Sequence, residues 1–230
     1  MTYDPKLNWE NDIISTLQKN VFPAQGLIRI IKGEYPNLTP VIKGSKVLDV
    51  GCGDGRNSNF LSREGFEVTG LEIEKSIVDL LKKTYLNINF IVGNNISIPS
   101  DDAVFDIIIS WNSCYYLGPD SVAEMKDVFK EYKRVLKTTK GSRLILSIPM
   151  DTSFIYKNCT YLRNQDGVNY VKITSDPFNI RNGEQLAQFT SLESLINALK
   201  KSGFNKIEVG EEMGNWFGYR YDWWVVSALI

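Results

Sequence analysis

The segment "LDVGCGDGRN", residues 48–57, holds the residues whose types and spacing are best suited to bind a ligand. Gly51, Gly53 and Gly55 follow a short apolar run, and glycine lets the backbone turn sharply and approach a ligand with no Cβ in between. Their GxGxG spacing differs from the GxGxxG pattern that places a pyrophosphate at a helix N-terminus. Asp49 stands just before the loop, where a carboxylate repels a phosphate and attracts an ammonium group. The segment therefore indicates a loop for a ligand with a cationic end.

A second carboxylate, Glu72, ends the next apolar run. At the end of a second strand, a carboxylate can accept hydrogen bonds from both hydroxyls of a ribose. The loop and this acid together describe a ligand with a ribose, a cationic end and no phosphate, and S-adenosylmethionine fits that description. A nicotinamide-dependent oxidoreductase would share the carboxylate but needs the other glycine spacing.

Short apolar runs alternate with helix-period segments from residue 45 onward. Near-continuous Val, Ile and Leu runs are typical of a mostly parallel sheet covered by helices on both faces, so the order predicts an α/β fold. The expected strands are residues 46–50, 67–71, 89–92, 105–110, 143–148, 206–209 and 223–230. The expected helices are residues 57–64, 76–83 and 121–136, and a fourth that begins with a capping box from Thr190 to Glu193 and ends at Gly203.

We expect one domain over residues 1–230. Its parts are an N-terminal helical cap (1–44), a cofactor-binding core (45–149), an acceptor-side insertion (150–189), and a final helix with a strand pair (190–230). The insertion contains a predicted hairpin in which "NYVKI" returns as "EQLAQF". Ligands on such sheets lie beyond the carboxyl ends of the strands, where the insertion and the cap, with Tyr3 and Trp9, could cover the site.

The composition excludes several classes of function. The chain has no histidine, so Ser-His-Asp triads and imidazole bases are ruled out. Cys52, Cys114 and Cys159 form no CxxC pair, which argues against a zinc site and suits a reducing cytoplasm; no metal is expected. Lys+Arg 26 against Asp+Glu 27 gives no basic excess for nucleic acid. No apolar run approaches the roughly 18 residues of a membrane span. We expect a cytoplasmic monomer or homodimer that acts on a small molecule.

The motifs follow one another as in a known family. From about residue 46 to the C-terminus, the chain resembles the class I S-adenosylmethionine-dependent methyltransferases. "VLDVGCGDGRN" is similar to their first motif, "VTGLEIEKSIVDLL" to their second, and "FIVGNNISIPSDDAVFDIIISWNSCYYL" to their third and fourth. The resemblance implies a Rossmann-like sheet of seven strands, mostly parallel, with an antiparallel last strand. It also implies binding of S-adenosylmethionine, with S-adenosylhomocysteine as the product.

The resemblance further implies roles for individual residues. Asp49, Gly51 and Gly53 would hold the methionine end of the cofactor, and Glu72 its ribose. Asn94 stands where the family usually has Asp, and its amide oxygen can still accept a hydrogen bond from the adenine amino group, without a charge. The remaining expected contacts are Ile73, Asn95 and Ile96 around the adenine, Cys52, Asp54, Arg56 and Asn57 along the loop and helix start, and Ser110 and Trp111 near the sulfonium.

Methyl transfer from a sulfonium mainly needs proximity and orientation, and it needs a base when the acceptor is a hydroxyl. Asn112, Tyr115 and Asp151 follow the fourth and fifth strands and are the catalytic candidates. We expect transfer to a nitrogen or oxygen atom of a small polar molecule, and the tyrosines and arginines of the insertion suit a sugar or nucleotide-linked sugar. The aromatic residues Trp216, Phe217, Tyr219 and Tyr221 are expected in a loop that borders the acceptor.

Two alternatives remain open at this stage. One is a non-catalytic subunit that binds S-adenosylmethionine in a regulatory or partner role. The other is an aminopropyltransferase that uses decarboxylated S-adenosylmethionine, although the sequence offers no clear acidic pair for a polyamine.

Overall fold

The computed structural model describes residues 11, 13–14, 22–118 and 121–230. Its centre is a sheet of seven strands: β1 (Lys46–Val50), β2 (Glu67–Glu72), β3 (Asn89–Val92), β4 (Ile107–Trp111), β5 (Arg143–Pro149), β9 (Lys206–Trp216) and β10 (Tyr219–Leu229). Their order across the sheet is β3-β2-β1-β4-β5-β10-β9. The first five pair in parallel, whereas β10 is antiparallel to both β5 and β9. The predicted Rossmann-like sheet with a reversed last strand is confirmed.

Five helices of the described residues accompany the sheet: α1 (Gln25–Lys32), α2 (Arg56–Arg63), α3 (Lys75–Thr84), α4 (Met125–Val135) and α5 (Leu192–Lys201). Alternate residues of the central strands point to two separate cores, one against α1, α2 and α3 and the other against α4 and α5. Because both faces are covered, the central strands are apolar on both sides, as their sequences indicated.

Two helix starts differ from the prediction because their caps lie elsewhere. Glu124 caps α4 and forms a capping box with Asp127, so this helix begins after residue 124 rather than at 121. Ser191, not Thr190, caps α5, and its partner is Ser194 rather than Glu193. In both cases the helix begins directly after the residue whose side chain accepts the N–H of the third helical residue.

The insertion after β5 forms a sheet of its own. A short 3-10 helix (Phe154–Tyr156) leads into β6 (Cys159–Gln165), β7 (Val168–Ile173) and β8 (Gln185–Phe189), which pair antiparallel in that order. The predicted hairpin is the β7–β8 pair, and β6 is an additional strand. The Ala187 N–H donates to the Tyr115 carbonyl, which ties the small sheet to the loop after β4.

The aromatic segment near the C-terminus is not a loop, contrary to expectation. β9 and β10 pair with each other from Trp216 and Tyr219 at the tip to Lys206 and Leu229 at the base. Only Phe217 and Gly218, both with positive φ, form the turn, as in the two-residue turns that suit hairpin twist. Tyr219 and Tyr221 therefore lie on a strand that continues past Pro149, the end of β5.

Helix α1 packs against the carboxyl end of β4. A Cβ on Gly26 would lie 2.7 Å from the Trp111 ring, so this glycine allows the helix to approach the end of β4 closely. Tyr3 and Trp9, which were expected to close over the cofactor, lie outside the described residues. No helix among the residues described is long and apolar enough to cross a membrane.

Candidate functional site

The glycine loop lies at the carboxyl end of β1, between the ends of β2 and β4. Gly51 and Gly53 have φ of 67° and 54°, which favours glycine at both positions. At Gly51 a Cβ would also lie 2.5 Å from the Cβ of Ser113, in the loop after β4. At Gly53 a Cβ would meet no described atom within 4 Å, so that side of the loop is open. The predicted loop is thus both tight against β4 and accessible from outside.

The loop's N–H groups already donate within the protein. Gly51 and Cys52 both donate to the Leu71 carbonyl, at 2.8 and 3.0 Å, and Gly55 donates to the Cys52 carbonyl at 2.9 Å. The Gly53 N–H donates to Glu72 Oε2 at 2.9 Å. A phosphate site needs such donors to be directed at the ligand. What this loop can offer is carbonyl and carboxylate oxygens, which suit a donor such as an ammonium group.

Three carboxylates surround the loop, and all three are buried. Asp49 is 1% exposed, and Asp54 and Glu72 also lie below the surface. Burial raises the pKa of Asp49 to about 6, opposed by a hydrogen bond from the Ser58 hydroxyl and assisted by Asp54 and Glu72. Burial likewise raises the pKa of Glu72. Arg56, 3.5 Å from Asp54, is the cation paired there, so the site favours a positively charged ligand.

Glu72 has a second role that the sequence did not show. Besides the Gly53 N–H, its carboxylate accepts the Ile73 N–H at 2.8 Å, so it fixes the glycine loop relative to the end of β2. The Glu74 N–H also forms a hydrogen bond with this carboxylate, and of the roughly four lone-pair sites on its two oxygens one is left for a ribose hydroxyl. Glu72 can therefore shape the loop and bind a sugar at once.

Two exposed apolar side chains mark the expected adenine position. Ile73, after β2, is 60% exposed, and Ile96, after β3, is 46% exposed. Asn94 is exposed between them in sequence, and its Oδ1 accepts the Ile96 N–H at 3.0 Å, which holds the turn. A flat base would cover apolar surface that is otherwise in water.

Asn95 does not use its side chain for a ligand. Its Oδ1 accepts the Tyr132 hydroxyl at 2.6 Å, and its Nδ2 donates to the Ser113 carbonyl at 3.2 Å. Ser110 joins the same buried network, because its hydroxyl lies 2.8 Å from that of Ser113 and 3.1 Å from that of Tyr132. The Ser113 hydroxyl in turn donates to the Val50 carbonyl. This network connects the ends of β1, β3 and β4, and any cofactor contact from Asn95 or Ser110 would come from their backbone.

Three further expected cofactor residues have side chains engaged elsewhere. The Cys52 thiol points into the core, where a Cβ on Gly70 would lie 3.1 Å from it. Asn57 Oδ1 accepts the Ala24 N–H at 2.9 Å and so anchors the start of α1. The Trp111 ring packs under α1 against Gly26. Their roles toward the cofactor remain predictions that rest on backbone position.

Asn112 stands at the end of β4 in an unusual conformation. Its φ is 55°, in the left-handed region that asparagine tolerates better than most residues. Ser147 on β5 holds it there: the Ser147 hydroxyl accepts the Asn112 N–H at 2.9 Å and donates to Asn112 Oδ1 at 2.7 Å. The amide Nδ2 is left free to face a ligand from an exposed residue. Ser147 was missed from the sequence because its partner depends on the register of two strands.

The other two catalytic candidates differ from each other in burial. Tyr115 is buried beside Tyr116, and burial raises the pKa of its hydroxyl well above the usual value, so Tyr115 is a poor base. Asp151 is exposed just beyond β5. No cluster of potential metal ligands occurs within the described part of the chain. The expected site without a metal remains a prediction.

A set of aromatic rings lies beyond the end of β5 and along the first residues of β10, and we call it the aromatic wall. Phe154 is at its centre, with ring centroids 4.7 Å from Tyr221, 6.4 Å from Trp223 and 5.7 Å from both Tyr219 and Phe178. Trp223 pairs with Pro149, two residues after Ser147, so the wall is one strand away from Asn112. It is the largest group of aromatic side chains near the predicted acceptor position.

Comparisons with known proteins agree with this geometry. Residues 47–139 match the family model of a methyltransferase domain. The "Ubiquinone biosynthesis O-methyltransferase" of Coxiella burnetii is 36% identical over 86 residues, which are 36% of this chain and 37% of that protein. The chain therefore matches little more than a third of the length of this curated relative.

Two solved structures show the same fold. A SAM-dependent methyltransferase of Thermotoga maritima, described as a possible histamine N-methyltransferase, aligns with a TM-score of 0.62 at 18% identity, covering 96% of this chain and 95% of that one. The 1,6-didemethyltoxoflavin-N1-methyltransferase of Burkholderia thailandensis aligns with a TM-score of 0.59 at 15% identity, covering 97% and 87%. Residues 47–139 thus resemble a methyltransferase domain, and the chain has the fold of these two solved structures.

Proposed function

We propose that the protein is an S-adenosylmethionine-dependent methyltransferase that methylates an oxygen or nitrogen atom of a small molecule. The observation that carries this proposal is the glycine loop: its N–H groups are engaged within the protein, while Asp49, Asp54 and Glu72 are buried around it. This arrangement disfavours a pyrophosphate and suits a ribose and a cationic methionine end. Proteins similar to this chain include both an O-methyltransferase and an N1-methyltransferase.

The residues of this chain would act mainly by placement. Asp49 and the loop carbonyls would hold the ammonium group, Glu72 the ribose, and Ile73 and Ile96 the two faces of the adenine. When bound, S-adenosylmethionine would supply an electrophilic methyl group: its carbon–sulfur bond would break with the electron pair going to sulfur, while a lone pair of the acceptor would form the new bond. Asn112 would orient the acceptor, and a hydroxyl acceptor would lose its proton to solvent or to Asp151. Positioning of this kind supplies most of the rate that such a displacement needs.

A sugar or nucleotide-linked sugar remains a candidate acceptor, but most of the polar residues that suggested it are engaged inside the insertion. The Tyr156 hydroxyl donates to the Ala187 carbonyl, and the Tyr170 hydroxyl accepts the Met125 N–H. Arg163 stacks on Tyr170, 4.1 Å from the ring centroid, and Arg181 is paired with Asp176. These contacts leave few of those groups for sugar hydroxyls.

Calorimetric titration of the full chain tests the cofactor. We expect S-adenosylmethionine and S-adenosylhomocysteine to bind, decarboxylated S-adenosylmethionine to bind much more weakly, and NAD not to bind. Binding of NAD, or of none of the four, would contradict the proposal, and preference for the decarboxylated compound would favour an aminopropyltransferase.

A non-catalytic subunit that binds S-adenosylmethionine is the second candidate, and the poor base character of buried Tyr115 is the observation that favours it. Turnover separates the two functions. Radiolabelled methyl transfer to any acceptor in a panel of phenols, amines and sugars supports the enzyme, whereas cofactor binding with no transfer to any of them supports the subunit.

A further inference from the structure

The aromatic wall combines a buried base with an open rim. Phe154 and Trp223 are buried, whereas Tyr219 is 36% and Phe178 47% exposed. The rings meet at mixed angles: Phe154 is edge-on to Phe178 at 82°, and Tyr221 is stacked on Trp223 at 22° with centroids 5.4 Å apart. Edge-on and offset contacts of this kind are the geometries in which a further aromatic ring can be added. The rim therefore offers apolar faces to a flat molecule from solvent.

Two polar atoms at the base of the wall lack partners. Trp223 Nε1 and Ser153 Oγ are both buried, and neither has a hydrogen-bond partner among the described residues. Ser153 directly precedes Phe154, and the two rings Trp223 and Phe154 are neighbours. Leaving a buried donor without an acceptor is unfavourable, so such groups are uncommon unless a ligand or a water molecule completes them. The indole N–H is a donor only, and it calls for an oxygen or nitrogen lone pair.

The cation in contact with the Phe154 ring is already neutralised. The Arg181 guanidinium lies 5.6 Å from the Phe154 ring centroid, and it is paired with Asp176 at 3.0 Å and donates to the Tyr116 hydroxyl at 2.8 Å. A carboxylate or phosphate on the ligand would therefore find no free positive charge among these residues. The wall suits an uncharged ring with a polar substituent.

We infer that the acceptor is a planar aromatic molecule with a phenolic or carbonyl oxygen, held by its ring against Phe154 and Tyr221 and by its oxygen at Trp223 Nε1. This inference rests on the proposed methyl transfer, and it narrows the acceptor class. Asn112, at the end of β4 and separated from β10 by β5, would lie on the side of the ring that faces the cofactor.

Binding of catechol to the full chain saturated with S-adenosylhomocysteine tests the inference. We expect catechol to bind at least about tenfold more tightly than trans-1,2-cyclohexanediol, which has the hydroxyls but no π face, and than N-acetylglucosamine. Among the indole N–H resonances of the 5 tryptophans, catechol should shift the one that disappears in Trp223→Phe. That variant keeps a ring and loses the N–H, so catechol affinity should fall about three- to tenfold.

Trp224→Phe is the matched control, because side chains alternate along the regularly paired β10 and Trp224 follows Trp223 directly, so this variant should leave catechol affinity unchanged. Phe154→Leu is the second test of the wall. It should lower the affinity for catechol about tenfold, while S-adenosylhomocysteine still binds. Equal affinity for the diol, tighter binding of the sugar, or no change in the Trp223 resonance would overturn the inference while the cofactor proposal stands. If the unaltered protein did not bind S-adenosylhomocysteine, the proposed function itself would be contradicted.

Discussion

The cofactor side and the acceptor side of the site are held in place by different interactions. On the cofactor side, carboxylates and backbone groups from β1 and β2 fix one another: Glu72 holds the Gly53 N–H, and Ser58 holds Asp49. On the acceptor side, the aromatic wall is held by ring packing, and Trp223 Nε1 lacks a partner. The difference suggests that the first side is already arranged for its ligand, whereas the second is completed by its ligand. Substitutions on the two sides should therefore change different binding constants.

The largest effect is expected from Asp49→Asn. Burial raises the pKa of Asp49 to about 6, above its usual value, so its ionisation destabilises the folded protein at pH values above about 6 and not below the unfolded pKa. The uncharged amide removes this destabilisation of the folded protein. It also removes the negative charge that would pair with the ammonium group of the ligand. We expect the ligand-free melting temperature at pH 7.5 to rise, while affinity for S-adenosylhomocysteine falls about a hundredfold or more.

Asp106→Asn is the matched control for this prediction. Burial opposes its charge, yet hydrogen bonds from Lys137 and from the Lys46 N–H lower the pKa of Asp106 below its usual value. Its carboxylate therefore stabilises the folded protein at neutral pH, and the amide should lower the melting temperature and leave cofactor affinity unchanged. If Asp49→Asn bound normally, the cofactor side would not be arranged for a cation and the comparison of the two sides would fail.

The same contrast explains how much the sequence could predict. The cofactor side depends on strand ends and one loop, and apolar periodicity with the glycine spacing was sufficient to locate Asp49, Gly51 and Glu72. The N–H partners of the loop could not be predicted, since they depend on how closely the Leu71 carbonyl and the Glu72 carboxylate approach.

The acceptor side depends on longer-range geometry. The tip of the β9–β10 hairpin extends past β5, and Glu211, Glu212 and Gly214 there break the apolar alternation that marks a strand. The sequence therefore predicted a loop where strands carry Tyr219 and Tyr221. Only the paired register of the hairpin reveals that both residues lie on the same face as Trp223.

An intermediate effect is expected from Ser147→Ala, which acts on the acceptor side without touching the wall. Loss of the hydroxyl removes both hydrogen bonds that hold Asn112 at φ 55°. We expect kcat for methylation of catechol to fall about tenfold, because small misplacements of an orienting group slow displacement reactions, while affinity for S-adenosylhomocysteine changes less than about twofold. Ser227→Ala is the control, since this buried hydroxyl on β10 has no partner among the described residues. Equal kcat in both variants would show that Asn112 does not orient the acceptor.

A smaller effect is expected from pH. Because the pKa of Asp49 in the ligand-free protein is about 6, only about a quarter of the molecules carry its charge at pH 5.5. Affinity for S-adenosylhomocysteine should therefore fall about fourfold between pH 7.5 and 5.5, and this change should be absent in Asp49→Asn. Titration calorimetry at both pH values measures it. Catechol affinity, which involves the uncharged wall, should not follow the same curve; if it does, the two sides are coupled rather than separate.

The smallest effect, and the one change expected to strengthen binding, is Asn94→Asp. The Asn94 Oδ1 already accepts the Ile96 N–H, and a carboxylate keeps this bond while it offers a charged acceptor to the adenine amino group. Because Asn94 is exposed, solvent screens much of the added charge, and we expect affinity for S-adenosylhomocysteine to rise only about two- to threefold. S-inosylhomocysteine, which has an oxygen in place of that amino group, should bind the variant more weakly than it binds the unaltered protein. A gain for both ligands would mean that the new charge acts at long range on the cationic methionine end, and the adenine would then not lie at the end of β3.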